Sequence, residues 1–217
     1  MGEAKRRKET GAPPPQKGKS NKLLYAGIGL LALAAVLLGV FFLTAPPKPT
    51  SDGLPVAAPN AEDFPAQLDQ FGVSVGPDDA PVVVREFADY QCPACGNFAS
   101  ASKQLKEEYV AEGKVRFVYF DLPLQQHQNA MPAAQAARCA GDQDAYWAMH
   151  ERLYDSQTEW SGSNDPVATF TRYAGDLGLE ERRFRRCMTT ELHREAVEQS
   201  RQVAMQLRVT STPTVLV

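Results

Sequence analysis

The chain has 217 residues, with 23 Lys and Arg against 26 Asp and Glu and a formal net charge of −3. The first 22 residues hold seven basic side chains (Lys5, Arg6, Arg7, Lys8, Lys17, Lys19, Lys22) and two acidic ones (Glu3, Glu9), a charge of +5, which leaves −8 for the remainder. That acidic remainder excludes a nucleic-acid-binding body, whose footprint would be basic, and a composition of 43% hydrophobic and 9% aromatic residues excludes disorder throughout. Four cysteines are too few for a small disulfide-stapled scaffold, so each needs its own explanation.

Leu23 to Ala45 (LLYAGIGLLALAAVLLGVFFLTA) runs without a charge. At 1.5 Å rise per residue a helix of this length crosses a hydrocarbon core of roughly 30 Å, so residues 23–45 are read as a transmembrane helix. A secretory signal peptide has a shorter apolar region, about 7 to 15 residues, and a buried globular helix would show a polar face. The basic residues all precede the span, and the positive-inside rule then leaves the tail 1–22 in the cytoplasm and sends the rest outside. The expected location is the plasma membrane, crossed once, with lipid as a partner through the anchor. Residues 46–65 shift to Pro, Ala and Ser and read as a linker.

Residues 66–217 are the size of one domain. Val82 to Ala88 reads as a strand after the turn GPDDAP. Phe98, Ala101, Leu105 and Tyr109 recur at helical spacing, and Val115 to Phe120 is a second strand, a βαβ order that predicts two parallel strands. Helices follow. Tyr146, Trp147, His150, Leu153 and Tyr154 define one face; Val167, Phe170 and Ala174 another, opened by Asp165 and Pro166 as cap and first helical residue. Phe184, Cys187 and Met188 share a short face, and Leu192, Ala196, Val203 and Leu207 mark a last helix. TPTVLV reads as a final strand.

The chemistry centres on Cys92-Pro93-Ala94-Cys95, where the first strand hands over to the helix. At a helix cap, unpaired backbone N–H groups and the helix dipole favour a thiolate at Cys92. Pro93 suits the first helical position, and Cys95, one turn further in, can close a small disulfide ring. Cys92 is then the attacking or attacked sulfur and Cys95 the resolving one. Half of a zinc site is the competing reading, but no second C-x-x-C occurs, so no metal is assigned, and the chemistry needs no cofactor.

EFADYQCPAC, followed by DLPLQQH, AAQAARCA, AYWAMHERLYDSQ, GLEERRFRRC and TPTVLV, resembles the DsbA-like thiol-disulfide oxidoreductases of the thioredoxin superfamily, and most of all their membrane-anchored bacterial branch. The resemblance covers Val75 to Val217. It implies an α/β thioredoxin-like fold with a helical insertion at about 124–207, and Thr212-Pro213 as a cis pair beside the cysteines that pairs with substrate backbone. It also implies a partner strand and a C-terminal helix after the Thr-Pro strand, and these are expected to be missing because the chain stops at Val217. Glu86 matches the family's buried acid. By strand alternation it shares a face with Val82, Val84 and Ala88, where burial would raise its pKa and suit it to relay a proton to Cys95; a pairing with a neighbouring base, or a reach to solvent, is the alternative. Asp89 and Tyr90 also match family positions and could simply shape the turn. His127 and His150 are read as structural.

Cys139 and Cys187 lie on different helices of the insertion. In an oxidising compartment they are read as a structural disulfide, with two free buried thiols as the alternative. The function expected is a disulfide donor to reduced or misfolded exported proteins, reoxidised by a quinone-coupled membrane partner, with no nucleic acid involved. The same residues could serve a reductase or isomerase, and a tethered peptide-binding or chaperone module without turnover is the reading from a different class.

Overall fold

The structure is a computed structural model that describes residues 27–28, 34, 37–38 and 64–217. The basic tail 1–22, most of the expected membrane span 23–45 and nearly all of the linker 46–65 lie outside the described residues. Among the described residues, no helix is long and apolar enough to cross a membrane. The chain divides into two units, 1–61 and 62–217, and the second is the domain that follows.

Its centre is a four-stranded sheet in the order β1 (Val73–Val75), β3 (Val115–Asp121), β2 (Val82–Ala88), β4 (Thr214–Leu216). β2 and β3 are parallel, with Glu86 opposite Tyr119, as the βαβ reading predicts; β1 and β4 flank them antiparallel. The crossover is α1 (Pro93–Leu105) with a π-helical turn over Lys106–Val110. The helical insertion consists of α2 (Ala130–Gly141), α3 (Tyr146–Asp155), the single turn α4 (Gln157–Trp160), α5 (Pro166–Asp176), α6 (Glu181–Thr189) and α7 (Arg194–Gln206). The domain is therefore a mixed α/β fold with a helical insertion between β3 and β4.

Because successive β side chains point to opposite faces, β2 serves two cores. Val84 and Ala88 pack with Phe117, Tyr119 and the insertion helices, whereas Phe87 packs with Val118, Phe120, Leu68 of the short 3₁₀ helix Ala66–Phe71, and Val203 and Ala204 of α7. Arg85 sits on the second face. Its guanidinium forms a buried two-point ion pair with Asp69, at 2.7 and 2.9 Å, and lies 4.1 Å over the Phe64 ring. Breaking such a pair from one side leaves an uncompensated buried charge, so it ties the 3₁₀ helix to the sheet.

Two expected helix faces depart from the spacing at one end each, at Tyr109 and at Leu192. In α1 the buried residues are Cys95 and Ser102, while Ala101 is exposed and Tyr109 is 46% exposed. The π turn carries one extra residue in its ring, so it brings Val110 rather than Tyr109 onto the core. Phe98, Ala101 and Leu105 share one face, as the spacing predicts, and line a cavity of about 280 Å³ together with Val84, Glu86, Phe117, Val215 and Val217. In the last helix Leu192 falls before the first turn and is 62% exposed; the buried stripe is Val197, Ser200, Val203 and Ala204. Glu191, at φ 50°, redirects the chain ahead of that helix. The α5 cap is as expected: the Asp165 carboxylate accepts from the Ala168 N–H at 3.1 Å, with Pro166 at the first helical position.

Cys139 on α2 and Cys187 on α6 form a disulfide, with Cα atoms 5.9 Å apart and 48 residues between them in sequence. Closing a loop of that length removes enough unfolded-chain entropy to stabilise the fold by about 4 kcal/mol.

Candidate active site

The site is built on the corner between β2 and α1. Cys92 has extended backbone (φ −70°, ψ 122°) and is the N-cap of α1, Pro93 is its first helical residue, and Ala94 and Cys95 complete the first turn. Asp89 holds the corner. Its buried carboxylate accepts from the Gln91 N–H at 2.7 Å and the Leu124 N–H at 2.8 Å, and meets His127 Nδ1 at 2.8 Å. Gln157 holds the same corner from the insertion, its amide donating to the Tyr90 carbonyl at 2.7 Å and the Cys92 carbonyl at 2.9 Å. Gly96 is required for that reach, since a Cβ there would stand 2.6 Å from Gln157 Oε1. Gln91 adds a third tie: its side chain accepts from the Asn129 N–H at 2.7 Å and donates to the Ser161 carbonyl at 2.9 Å.

The Thr212-Pro213 bond is cis and lies against the cysteines: Cys92 Sγ is 3.8 Å from the Thr212 carbonyl oxygen. As a thiol, Cys92 can donate to that carbonyl, which favours the protonated form. The thiolate is served by different groups. Partial burial opposes its ionisation, but the Thr212 side chain and hydrogen bonds from Cys95 and the Ala94 backbone outweigh it, and the Cys92 pKa falls below the ordinary 9.0. Among the described residues the buried Thr212 Oγ1 has no hydrogen-bond partner, so its hydroxyl is free to turn toward the sulfur. Cys95 behaves oppositely. It is fully buried, and loss of solvation pushes its pKa up to about 12. Of two thiols one helical turn apart, one gives up its proton more readily than an ordinary thiol and the other holds it more tightly.

Glu86 is 1% exposed and accepts a short hydrogen bond from Ser102 Oγ. Burial raises its pKa above the ordinary 4.5, against the opposing pull of the Ser102 bond and the Lys106 charge. Lys106 is itself half-desolvated; it pairs with Glu151 at 3.4 Å and sits 4.7 Å over the Trp147 ring. The carboxylate therefore does not reach solvent, and its neighbouring base acts on it at a distance. Glu86 and Cys95 both act on the Tyr154 phenol, whose pKa is raised first by burial. His150 is enclosed by Tyr90, Tyr119, Tyr146, Trp147 and Tyr154, with Nδ1 2.8 Å from the Tyr90 hydroxyl. Burial first, and the Lys106 charge second, drive its pKa well below 6.5, so it is a neutral packing residue.

The thioredoxin family model matches residues 69–217. The chain belongs to the thioredoxin family. It is 27% identical over 204 residues to the probable disulfide bond formation protein D of Bacillus anthracis, covering 91% of this chain and 88% of that protein. It is 37% identical over 143 residues to the Na(+)/H(+) antiporter NhaA 3 of Salinispora tropica, covering 65% of this chain but only 21% of the antiporter, so the chain matches about a fifth of that relative's length. Among solved structures, oxidised BdbD of Bacillus subtilis shares the fold with a TM-score of 0.60 at 24% identity, over 68% of this chain and 81% of that one. A thioredoxin-like oxidoreductase from Silicibacter pomeroyi superposes with a TM-score of 0.57 at 26% identity, over 71% and 85%.

Of the residues singled out in the sequence, this thioredoxin-like domain brings Cys92, Pro93, Ala94, Cys95, Thr212 and Pro213 to one place and buries Glu86 in the adjoining layer. Cys139 and Cys187 are bonded to each other, away from that pair. Ser102, Gln157 and the Thr212 hydroxyl were not singled out. Ser102 was within reach of the sequence, because seven residues after Cys95 is the same helix face. Gln157 carries no such signal, since its role depends on how the insertion folds back.

Thr212→Val removes a hydroxyl donor worth ~1.5 kcal/mol to a charged acceptor. It is expected to raise the pH midpoint for alkylation of Cys92 and to slow the reaction at pH 7 by about tenfold, while Thr212→Ser restores it; iodoacetamide kinetics read both. Glu86 binds its proton more tightly in the folded than in the unfolded chain. It therefore costs stability as pH rises from 4.5 through the folded pKa, and Glu86→Gln should be more stable than the parent at pH 8 and equal to it below pH 4.5 in urea unfolding.

Proposed function

We propose that the domain is a thiol-disulfide oxidoreductase acting on exported proteins, and that it works as a disulfide donor. The observation that carries this reading is the split between the two thiols: Cys92 lowered below 9.0 at the helix cap, Cys95 held up to about 12 behind it. A thiol with a low pKa is a good leaving group. When a substrate thiolate attacks the oxidised pair at Cys92, Cys95 is expelled and the two chains share a mixed disulfide. The substrate's second thiolate then attacks its own sulfur in that bond, Cys92 leaves as a thiolate, and the substrate departs oxidised while Cys92 and Cys95 are left reduced. A stabilised Cys92 thiolate makes the reduced enzyme the favoured product, which is the condition for an oxidant.

Ser211 and Thr212 would present backbone to an extended substrate segment beside Cys92, and Glu86, through the layer it shares with Tyr154, would move the Cys95 proton. A quinone-coupled membrane oxidoreductase would restore the disulfide. The charge-free stretch 23–45 behind a +5 tail supports a single membrane anchor with the domain outside, within reach of exported substrates and of lipid. The B. anthracis relative's name supports disulfide formation, while the antiporter's name describes a protein of which this chain matches about a fifth.

The test is oxidation of a reduced, unfolded protein by the oxidised domain, with equilibration against glutathione. The expected result is stoichiometric transfer that Cys92→Ser abolishes, together with a trapped mixed disulfide when Cys95→Ala meets the oxidised substrate, Cys92 attacking its disulfide and expelling one substrate thiolate. A reduction potential near that of thioredoxin, about −270 mV, would turn the reading toward a reductase, and binding that survives Cys92→Ser without turnover would make the domain a peptide-binding module.

A further inference from the structure

The Cys139–Cys187 disulfide does not stand alone in its surroundings. The sulfurs of Cys139 and Cys187 and an imidazole nitrogen of His193 all lie within 4.8 Å of one another, and among the described residues this is the one such cluster of potential metal ligands. A fourth donor is present. Asp142, which caps the C-terminus of α2, has Oδ2 2.9 Å from His193 Nε2 and 3.6 Å from Cys187 Sγ. The two sulfurs are buried, His193 is half-buried and Asp142 is exposed. Two sulfurs, one imidazole and one carboxylate converge from α2, α6 and the turn before α7.

As a disulfide the sulfurs have no charge to offer a metal. Once separated they are two thiolates, and two thiolates with an imidazole and a carboxylate form a four-donor set suited to tetrahedral Zn²⁺, with Zn–S near 2.3 Å and Zn–N near 2.0–2.1 Å. The backbone needs little change. A Cα separation of 5.9 Å is long enough for side-chain rotation to part the sulfurs without moving either helix. Rotation of the Asp142 carboxylate off His193 would turn the pair that now bond each other into two ligands.

We propose that the reduced form of this pair is a zinc site, so that α2 and α6 are stapled covalently in the oxidised protein and through the metal in the reduced one. The exchange balances. A dithiol reductant gives up two electrons and two protons, becoming a disulfide itself, and Cys139 and Cys187 become thiols. Zn²⁺ then displaces both protons to solvent and is neither oxidised nor reduced. The proposal is independent of the reading of Cys92 and Cys95.

The test uses the full chain carrying Cys92→Ser and Cys95→Ser, so that only this pair can respond. It is treated with a phosphine, which takes its oxygen from water as it reduces the disulfide and has no thiol to compete for metal. Zn²⁺ alone is added, free metal is removed, and the zinc retained is measured. The expected result is one zinc per chain after reduction and none before it, with the helical circular dichroism and thermal stability lost on reduction returning with the metal. Co²⁺ in place of Zn²⁺ should show thiolate-to-metal charge transfer and the visible bands of a tetrahedral centre. His193→Ala, which leaves both cysteines in place, should weaken zinc binding by about tenfold or more. Substoichiometric zinc in the reduced chain, affinity unchanged in His193→Ala, a cobalt spectrum without sulfur ligation, or a reduced chain that zinc does not restabilise would each overturn the proposal.

Discussion

The buried carboxylate of Asp89 is the constraint on which the active site depends. It sits directly after β2 with both oxygens engaged, one by the Gln91 N–H and the other by the Leu124 N–H and His127. The first bond fixes the tight turn that ends the strand and places Cys92 at the cap of α1. The others fasten that turn to the loop leaving β3, so the corner is anchored to the parallel pair β2 and β3 at once. A buried carboxylate is costly unless its lone pairs are filled, and here the filling groups are the ones that set the backbone path. The position of two sulfurs follows from the satisfaction of one acid.

The insertion contributes what the sheet and α1 cannot. Gln157 binds two carbonyls of the corner, Gln91 and Asn129 lace it to the segment after α4, and Gly96 leaves the room these contacts need. On the far face of the sheet, Arg85 and Asp69 neutralise each other and leave Glu86 as the acid of the near face. Adjacent residues of one strand thus carry a paired charge and a buried acid of raised pKa, kept apart because successive side chains point opposite ways.

Much of this was legible in the sequence, and the parts that were not share a cause. The Cys92 cap, Pro93 at the first helical position, the parallel βαβ pair and the Asp165-Pro166 start of α5 are local features set by a few consecutive residues. Glu86 was legible through strand alternation. Phe98, Ala101 and Leu105 share the face that their spacing predicts, but Tyr109 leaves it because a π turn interrupts the 3.6 period over Lys106–Val110, and Leu192 lies in the turn before α7. β1, Gln157, and the convergence of Asp142 and His193 on the Cys139–Cys187 bridge depend on contacts between segments far apart in the chain, which spacing cannot reveal.

The central claim is that this corner drives the proton affinities of two neighbouring thiols in opposite directions. It is tested most directly by following the ¹³Cβ shifts of Cys92 and Cys95 in the reduced domain across a pH titration. The account predicts a Cys92 midpoint below 9.0 and a Cys95 midpoint near 12. Two thiols titrating together near 9.0, or Cys95 ionising first, would contradict it.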